Sequence, residues 1–317
     1  FGNQIVDIDP LSVLTNLRRL VLHGNRISDI SALAALKNIE ALYINVNQIG
    51  DLSPLEGLTN LEELAFFENQ VEDISPLAGL TNLRVLGMRD NRISGLKPLQ
   101  GLTNLELLYM EGNLISDLGP IAGLTKLREI DIDRNQVSDI SALVGLTNLE
   151  GLYASENQIV SIAALSGLTN LRELYIWDNQ IVSIEALRNL TKLLELHLTL
   201  NEIVDISPLE GLTNLETLTI WGNRIADIGP LSGLVDLELL WLSRNQIEDI
   251  GALEYLTKLV DLGLHSNLIK DISPLVKNTG FGGGDKIDVR ANRLDLTPGS
   301  SNMKDIQTLL DRGVEVL

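Results

Sequence analysis

Any chemistry this chain performs must come from a short inventory of side chains. It has no cysteine, so thiolate nucleophiles, thiolate metal sites and disulfide staples are excluded. The three histidines, His23, His197 and His265, fall in different repeats of a periodic chain. Neighbouring strands lie about 4.8 Å apart, so the closest pair stands roughly 14 Å apart, too far to share a metal or a proton. No GxSxG, HExxH or phosphate-loop pattern occurs, and the triple glycine at 282–284 precedes neither Lys-Ser/Thr nor a helix start, so it reads as a flexible loop. No catalysis, cofactor or metal is expected. Asp131 and Asp133, projecting from one face of one strand, are the sharpest metal alternative, for calcium; two carboxylates on a strand are more often a solvated surface.

What remains is recognition. Tyr109, Tyr153, Tyr175, Trp177, His197, Trp221 and Trp241 occupy positions that should point away from the core. All three tryptophans, all three histidines and four of the five tyrosines fall in two columns of the repeat. Large rings in water are an unfavourable use of apolar surface, whereas at an interface they give broad contact at small entropic cost. The bland alternative, strongest for tyrosine, is that rings between strand leucines merely favour β structure. Beside them Glu111, Glu129, Asp131, Asp133, Glu156, Glu173 and Asp178 form an acidic ridge opposed mainly by Arg134. A partner offering Lys or Arg together with apolar anchors would suit such a face. Ser155, in one of the same columns, is expected to be exposed.

The elements that position these residues follow from a 22-residue period. Residues 61–80, LEELAFFENQVEDISPLAGL, return in related form along the chain, and asparagine stands at one phase from Asn3 through Asn267, thirteen times without a gap. A unit this short cannot bury its own apolar face and must stack on its neighbours. Around Leu64 and Phe66 the alternation has period two, which predicts a short strand; twelve such strands centre on the column from Leu20 to Leu262, and residues 286–291 add a thirteenth. The repeat asparagine can donate and accept at once and is expected to satisfy turn backbone. In the return half, Asp occurs in ten of thirteen units at the Asp73 column, and Ser75-Pro76 reads as an N-cap and first helical position. Glycine at the Gly79 column suits a left-handed C-terminal turn. Only a 3₁₀ or very short helix fits between these signals.

These phrases, SPLEGLTNLEELAFFENQVEDISPL and DISPLEGLTNLETLTIWGNRIADI, resemble the 22-residue leucine-rich repeats of bacterial internalins and of a phosphatase-regulating scaffold of the same repeat class. The resemblance implies an α/β leucine-rich repeat solenoid, a right-handed horseshoe or arc with a parallel sheet on the concave side, short helical segments on the convex side, and ligands on the sheet. It covers roughly residues 1–275, after which the spacing breaks; the repeats are expected to occupy residues 1–279 and residues 280–317 to form a final atypical repeat and cap, with a helix over 302–312 and a last short strand.

Net charge is −19, which disfavours nucleic-acid and anionic-membrane partners. No apolar run reaches 18 residues, so no membrane insertion is expected. The chain opens within a repeat, so a signal peptide or N-terminal cap would lie outside it. The reading is a monomeric, non-enzymatic binding module, bacterial and secreted or cell-surface, holding a protein partner on the sheet. The alternatives are a glycan-binding surface using the tryptophans, or a cytoplasmic regulatory scaffold.

Overall fold

The computed structural model describes residues 2–317. Phe1, where the repeat region begins in sequence, lies outside the described residues. The chain divides into two compact units, Phe1–Gln158 and Ile159–Leu317, at a point inside the repeat array where no linker interrupts the sequence. In the first unit, β1 (Arg19–Val21), β2 (Ala41–Tyr43), β3 (Glu63–Ala65), β4 (Val85–Gly87), β5 (Leu107–Tyr109), β6 (Glu129–Asp131) and β7 (Gly151–Tyr153) pair in parallel, each with the next. In the second, β8 (Glu173–Tyr175), β9 (Glu195–His197), β10 (Thr217–Thr219), β11 (Leu239–Trp241), β12 (Asp261–Gly263), β13 (Lys286–Asp288) and β14 (Glu315–Val316) do the same. Residues 22 apart stand side by side, so a column in the sequence is a row on the sheet. Within each unit the sheet backs onto 3₁₀ turns, the architecture expected of a leucine-rich repeat solenoid.

One repeat shows how the sequence dictates this. Leu61, Leu64, Phe66, Val71, Ile74, Leu77 and Leu80 are all at most 2% exposed, and the same positions line the core in the neighbouring repeats. At about 25 cal/mol per Å² of apolar surface, seven buried side chains per 22 residues are the main stabilising term. The repeat asparagine seals the turn: Asn135 accepts from the Ile115 N–H at 2.9 Å and donates to the carbonyls of Met110, Ile132 and Asp133 at 3.0, 3.1 and 3.1 Å. A second ladder, not anticipated from sequence, joins the outer turns, where Asn82 donates to the Thr59 carbonyl at 2.8 Å and Asn104 to that of Thr81 at 2.9 Å.

Two local expectations are corrected. The 3₁₀ turn Ser75–Leu77 begins at the serine itself, and Ile74 occupies the N-cap without a side-chain bond. Asp73 does the capping, accepting from the Ser75 N–H at 2.8 Å and the Ser75 hydroxyl at 2.7 Å. That bond holds the Asp73 carboxyl below the usual carboxylate range. The glycines of the Gly79 column are ordinary turn residues except Gly57, at φ +82°. Left-handed backbone sits instead immediately before each repeat asparagine, as at Val46, Glu68 and Arg134 with φ of 53°, 52° and 52°. The repeat asparagine's bonds hold the chain there although a side chain at such φ costs about 1–2 kcal/mol.

The C-terminal segment folds onto the last repeats. A helix α1 (Ser273–Lys277) replaces the final 3₁₀ turn, and α2 (Ser301–Asp311) starts at Ser300, whose hydroxyl accepts from the Met303 N–H at 3.2 Å. Leu309, Val314 and Phe281 are 0%, 3% and 3% exposed. Arg312 donates to the carbonyls of Asn278 and Val276 at 3.0 and 2.6 Å, fixing the tail to the turn it follows.

Candidate recognition surface

On the sheet of the first unit, the outward residues of β4 to β7 and of the turns after them form a charged lattice. Glu111 is held by two arginines: Arg89 makes a close ion pair with it, and Arg134 lies 2.8 Å away, reaching Asp90 at 3.0 Å as well. Arg89 also stands 3.9 Å from Asp131. Gly112 makes room, since a Cβ there would clash with the Asp90 carboxylate. The ridge is therefore opposed by Arg89 as well as Arg134. Asp131 accepts from the Asp133 N–H at 3.1 Å, and Asp133 from the Ser155 N–H at 2.5 Å. Burial pushes both carboxyls up, Asp131 to about 6 and Asp133 to about 7, with neighbouring carboxylates adding to the shift. Tyr109, Glu111, Glu129 and Tyr153 are half-buried on this face, and Glu156 is exposed at its edge.

The second unit's face is built from rings. Tyr175 stacks on His197, centroids 4.1 Å apart at 25°. The His197 Nδ1 lies 2.8 Å from the Thr219 hydroxyl and its Nε2 3.8 Å from Glu195; burial moves its pKa below the ordinary value. Trp177 and Trp221 are half-buried, with the Arg244 guanidinium 5.6 Å over the Trp221 ring, while Trp241 is 39% exposed. Glu173 is half-buried and Asp178 exposed. The outward columns are thus where the rings stand, but outward does not mean exposed. Ser155 is 0% exposed and Thr199, Thr219 and Ser243 are 7%, 5% and 4%. Ser155 was expected at the surface; short side chains in a row of long ones are overhung by them.

A further pattern links the strands. Wherever Tyr or Trp occupies the first outward column, at Tyr43, Tyr109, Tyr153, Tyr175 and Trp241, a carboxylate stands 20 residues later, at Glu63, Glu129, Glu173, Glu195 and Asp261, and no other repeat has an acid there. The structure shows the reason within each unit. Tyr43 donates to Glu63, Tyr109 pairs with Glu129, Tyr175 donates to Glu195, and the Trp241 Nε1 donates to Asp261 at 3.2 Å. Each of these four rings is pinned by the next strand. Burial, reinforced by these carboxylates, pushes the Tyr109 hydroxyl up to about 12 and raises that of Tyr175.

Around Trp241 the face deepens into a cup of about 320 Å³ lined by Trp221, Trp241, Arg244, Gly263, His265 and Lys286, among others. Of these, Arg244, Gly263 and Lys286 lie outside the residues singled out from sequence. Their signal was present but faint: glycine facing tryptophan at equal register, and a cation in a column otherwise mixed. Among the described residues no group of three or more metal-ligating side chains stands together, and no helix is long and apolar enough to cross a membrane.

A family model described as leucine rich repeats in two copies matches residues 1–35, 37–79, 81–123, 103–145, 147–189, 191–233 and 235–277. Among curated proteins no sequence matches. Among solved structures, an internalin (inlF) from Listeria monocytogenes is 32% identical with a TM-score of 0.90, the match covering 96% of this chain and 87% of that one. Internalin C2 (inlC2) of the same species is 38% identical over 63% of this chain and 87% of its own, with a TM-score of 0.57. A plant peptide hormone receptor, RGFR1 in complex with RGF2, shares the fold alone, at 18% identity and a TM-score of 0.67, over 98% of this chain and 64% of its own. With repeat matches along most of its length and an internalin aligned to nearly all of it, the chain belongs to the leucine-rich repeat family and is internalin-like.

Proposed function

We propose that this chain is a non-enzymatic recognition module that holds a protein partner against the outward face of its sheet, with Tyr175, Trp177, His197, Trp221 and Trp241 as anchors. The observation that carries this reading is Trp241: its Nε1 is fixed by Asp261 at 3.2 Å, yet 39% of it remains in water. A ring held still and left exposed suits contact with something else, because its ordering entropy is already lost before binding. The acidic residues of the first unit favour Lys or Arg on that partner. A fold of this kind presents a peptide hormone's receptor surface in the plant complex, which supports a polypeptide ligand here. Likeness to a Listeria internalin supports a bacterial chain acting outside the cell or at its surface.

The test is an affinity series against a captured protein partner. Trp177→Ala, Trp221→Ala and Trp241→Ala should each weaken binding by about 2 kcal/mol, as hot-spot residues do. At pH 8, where both carboxyls are charged, Asp131→Asn with Asp133→Asn should chiefly slow association and flatten its salt dependence. A triple tryptophan variant that stays folded and binds as tightly as the parent overturns the reading.

A further inference from the structure

The cup on the second unit has a chemistry of its own. Gly263 is the strand partner of Trp241, and a Cβ at Gly263 would lie 3.3 Å from the Trp241 Cδ1 and 3.2 Å from the Ser243 Oγ. The glycine therefore lets the indole lie low over β12 and leaves a floor beside it. Trp221 forms a second aromatic wall under the Arg244 guanidinium.

The charges around the cup are not evenly committed. Asp261 already accepts from Trp241, and Asp288 is gripped by Arg290 at 2.6 and 2.9 Å. Among the described residues, Arg244 and Lys286 have no ion-pair partner, although both line the cup and the chain as a whole carries a net charge of −19. Other cations among the described residues, Lys37 and Lys97 included, also stand outside any ion pair; what sets Arg244 and Lys286 apart is that both line one cavity beside two indoles, and that convergence marks a place for an anion. The remaining lining offers both kinds of hydrogen bond: Ser243 and His265 can donate or accept, and Asp261 and Asp288 keep oxygens that accept. A lone carboxylate would use the cations and leave the indoles and acceptors unmatched. A saturated ring with hydroxyls and one carboxylate uses all of them, its C–H face on indole, its hydroxyls on Asp, Ser and His, its carboxylate on Arg244 and Lys286. The volume, about 320 Å³, is at the lower end for small-ligand pockets and suits one such ring.

We propose that this cup binds the terminal acidic sugar of a glycan, a uronic or a nonulosonic acid. The inference stands apart from the protein-partner reading and is tested without any protein partner. Glucuronic acid and N-acetylneuraminic acid, with glucose and N-acetyl-aspartate N-methylamide as controls, are titrated into the folded chain and followed by ligand-observed NMR and tryptophan fluorescence. At least one acidic sugar should saturate, with glucose and the aspartate amide each about tenfold weaker or more. Which acid binds tighter distinguishes the two sugar classes. In Arg244→Gln with Lys286→Gln the acidic sugar should fall to the level of glucose, and Gly263→Val, which fills the floor, should abolish saturation. The double glutamine variant changes only cup-rim cations, so its fold is checked by an unchanged melt. Absence of saturation by both acids, equal binding of glucose, equal binding of the aspartate amide, or an unaffected double variant each overturns the proposal.

Discussion

The sheet face of the first unit and that of the second stand on the same frame and reach opposite solutions. On β4 to β7 the charges answer one another: Arg89 and Arg134 close on Glu111 and Asp90, and Asp131 and Asp133 are drawn into burial with backbone N–H groups. On β10 to β13 the carboxylates are tied to an indole and to Arg290, while Arg244 lies over the Trp221 ring and neither it nor Lys286 is in an ion pair among the described residues. The frame, set by leucine and asparagine columns, is indifferent to what stands on it. That separation of frame from face is what lets a repeat array carry a recognition surface without endangering its fold.

The comparison breaks most severely if the frame is opened at its end. Removing residues 280–317 uncovers the apolar side of the last repeat, including Leu275 at 0% exposure, so the second unit should aggregate or lose cooperative unfolding. An unchanged, monomeric melt would show that the tail is no cap. Next in size come the asparagines. Asn135→Ala in the first unit and Asn223→Ala in the second each strip one accepted and three donated bonds, and should cost about 1–3 kcal/mol apiece in thermal or denaturant melts. Unequal costs would mean that the frame is not indifferent to the face.

The faces themselves separate by pH. The folded pKa values of Asp131 and Asp133, about 6 and about 7, lie above those of the unfolded chain, so between about pH 4 and 7 the native state binds more protons. Stability is then lower above pH 7 and rises as the pH falls through the folded values. Lowered carboxyls such as Asp73 and Asp205 keep their contribution until the pH drops below their unfolded values, and so do not oppose the trend in this window. His197, whose folded pKa lies below its unfolded one, does oppose it as the pH falls through the histidine range, but it is one group against two raised acids. The parent's melting temperature should rise from pH 8 to pH 5, and Asp131→Asn with Asp133→Asn should flatten most of that rise. An equal slope in the variant contradicts the burial of these two groups. Smallest of all is the pin on Tyr175: Glu195→Gln removes the charge that its hydroxyl faces, so its absorbance titration should move to lower pH with little change in melting temperature. An unmoved titration would mean the carboxylate pin does not act on the ring.

The frame was legible because every repeat votes on the same columns, and the period alone sets strand, turn and register. The capping residue was misassigned because Asp73 and Ser75 both suit an N-cap, and only geometry shows which oxygen reaches the N–H. The glycines of the return half misled because they tolerate a left-handed turn without requiring one, whereas Val46 and Glu68 adopt it against their own preference. The rings of the face could be read from their columns. The cup could not, because it depends on what a residue lacks: Gly263 matters for the Cβ it does not have, and Arg244 and Lys286 for the carboxylates they do not meet.

The central claim is that recognition uses the sheet side and not the turn side, and two side chains report on it directly. Trp241 stands on the sheet face at 39% exposure, and Tyr255 on the 3₁₀ turn Gly251–Tyr255 at 61%. Hydroxyl-radical footprinting of the chain, free and with a bound protein partner, compares their oxidation in one experiment. The account predicts that Trp241 is protected on binding while Tyr255 reacts as before; protection of Tyr255 with Trp241 unchanged would contradict it.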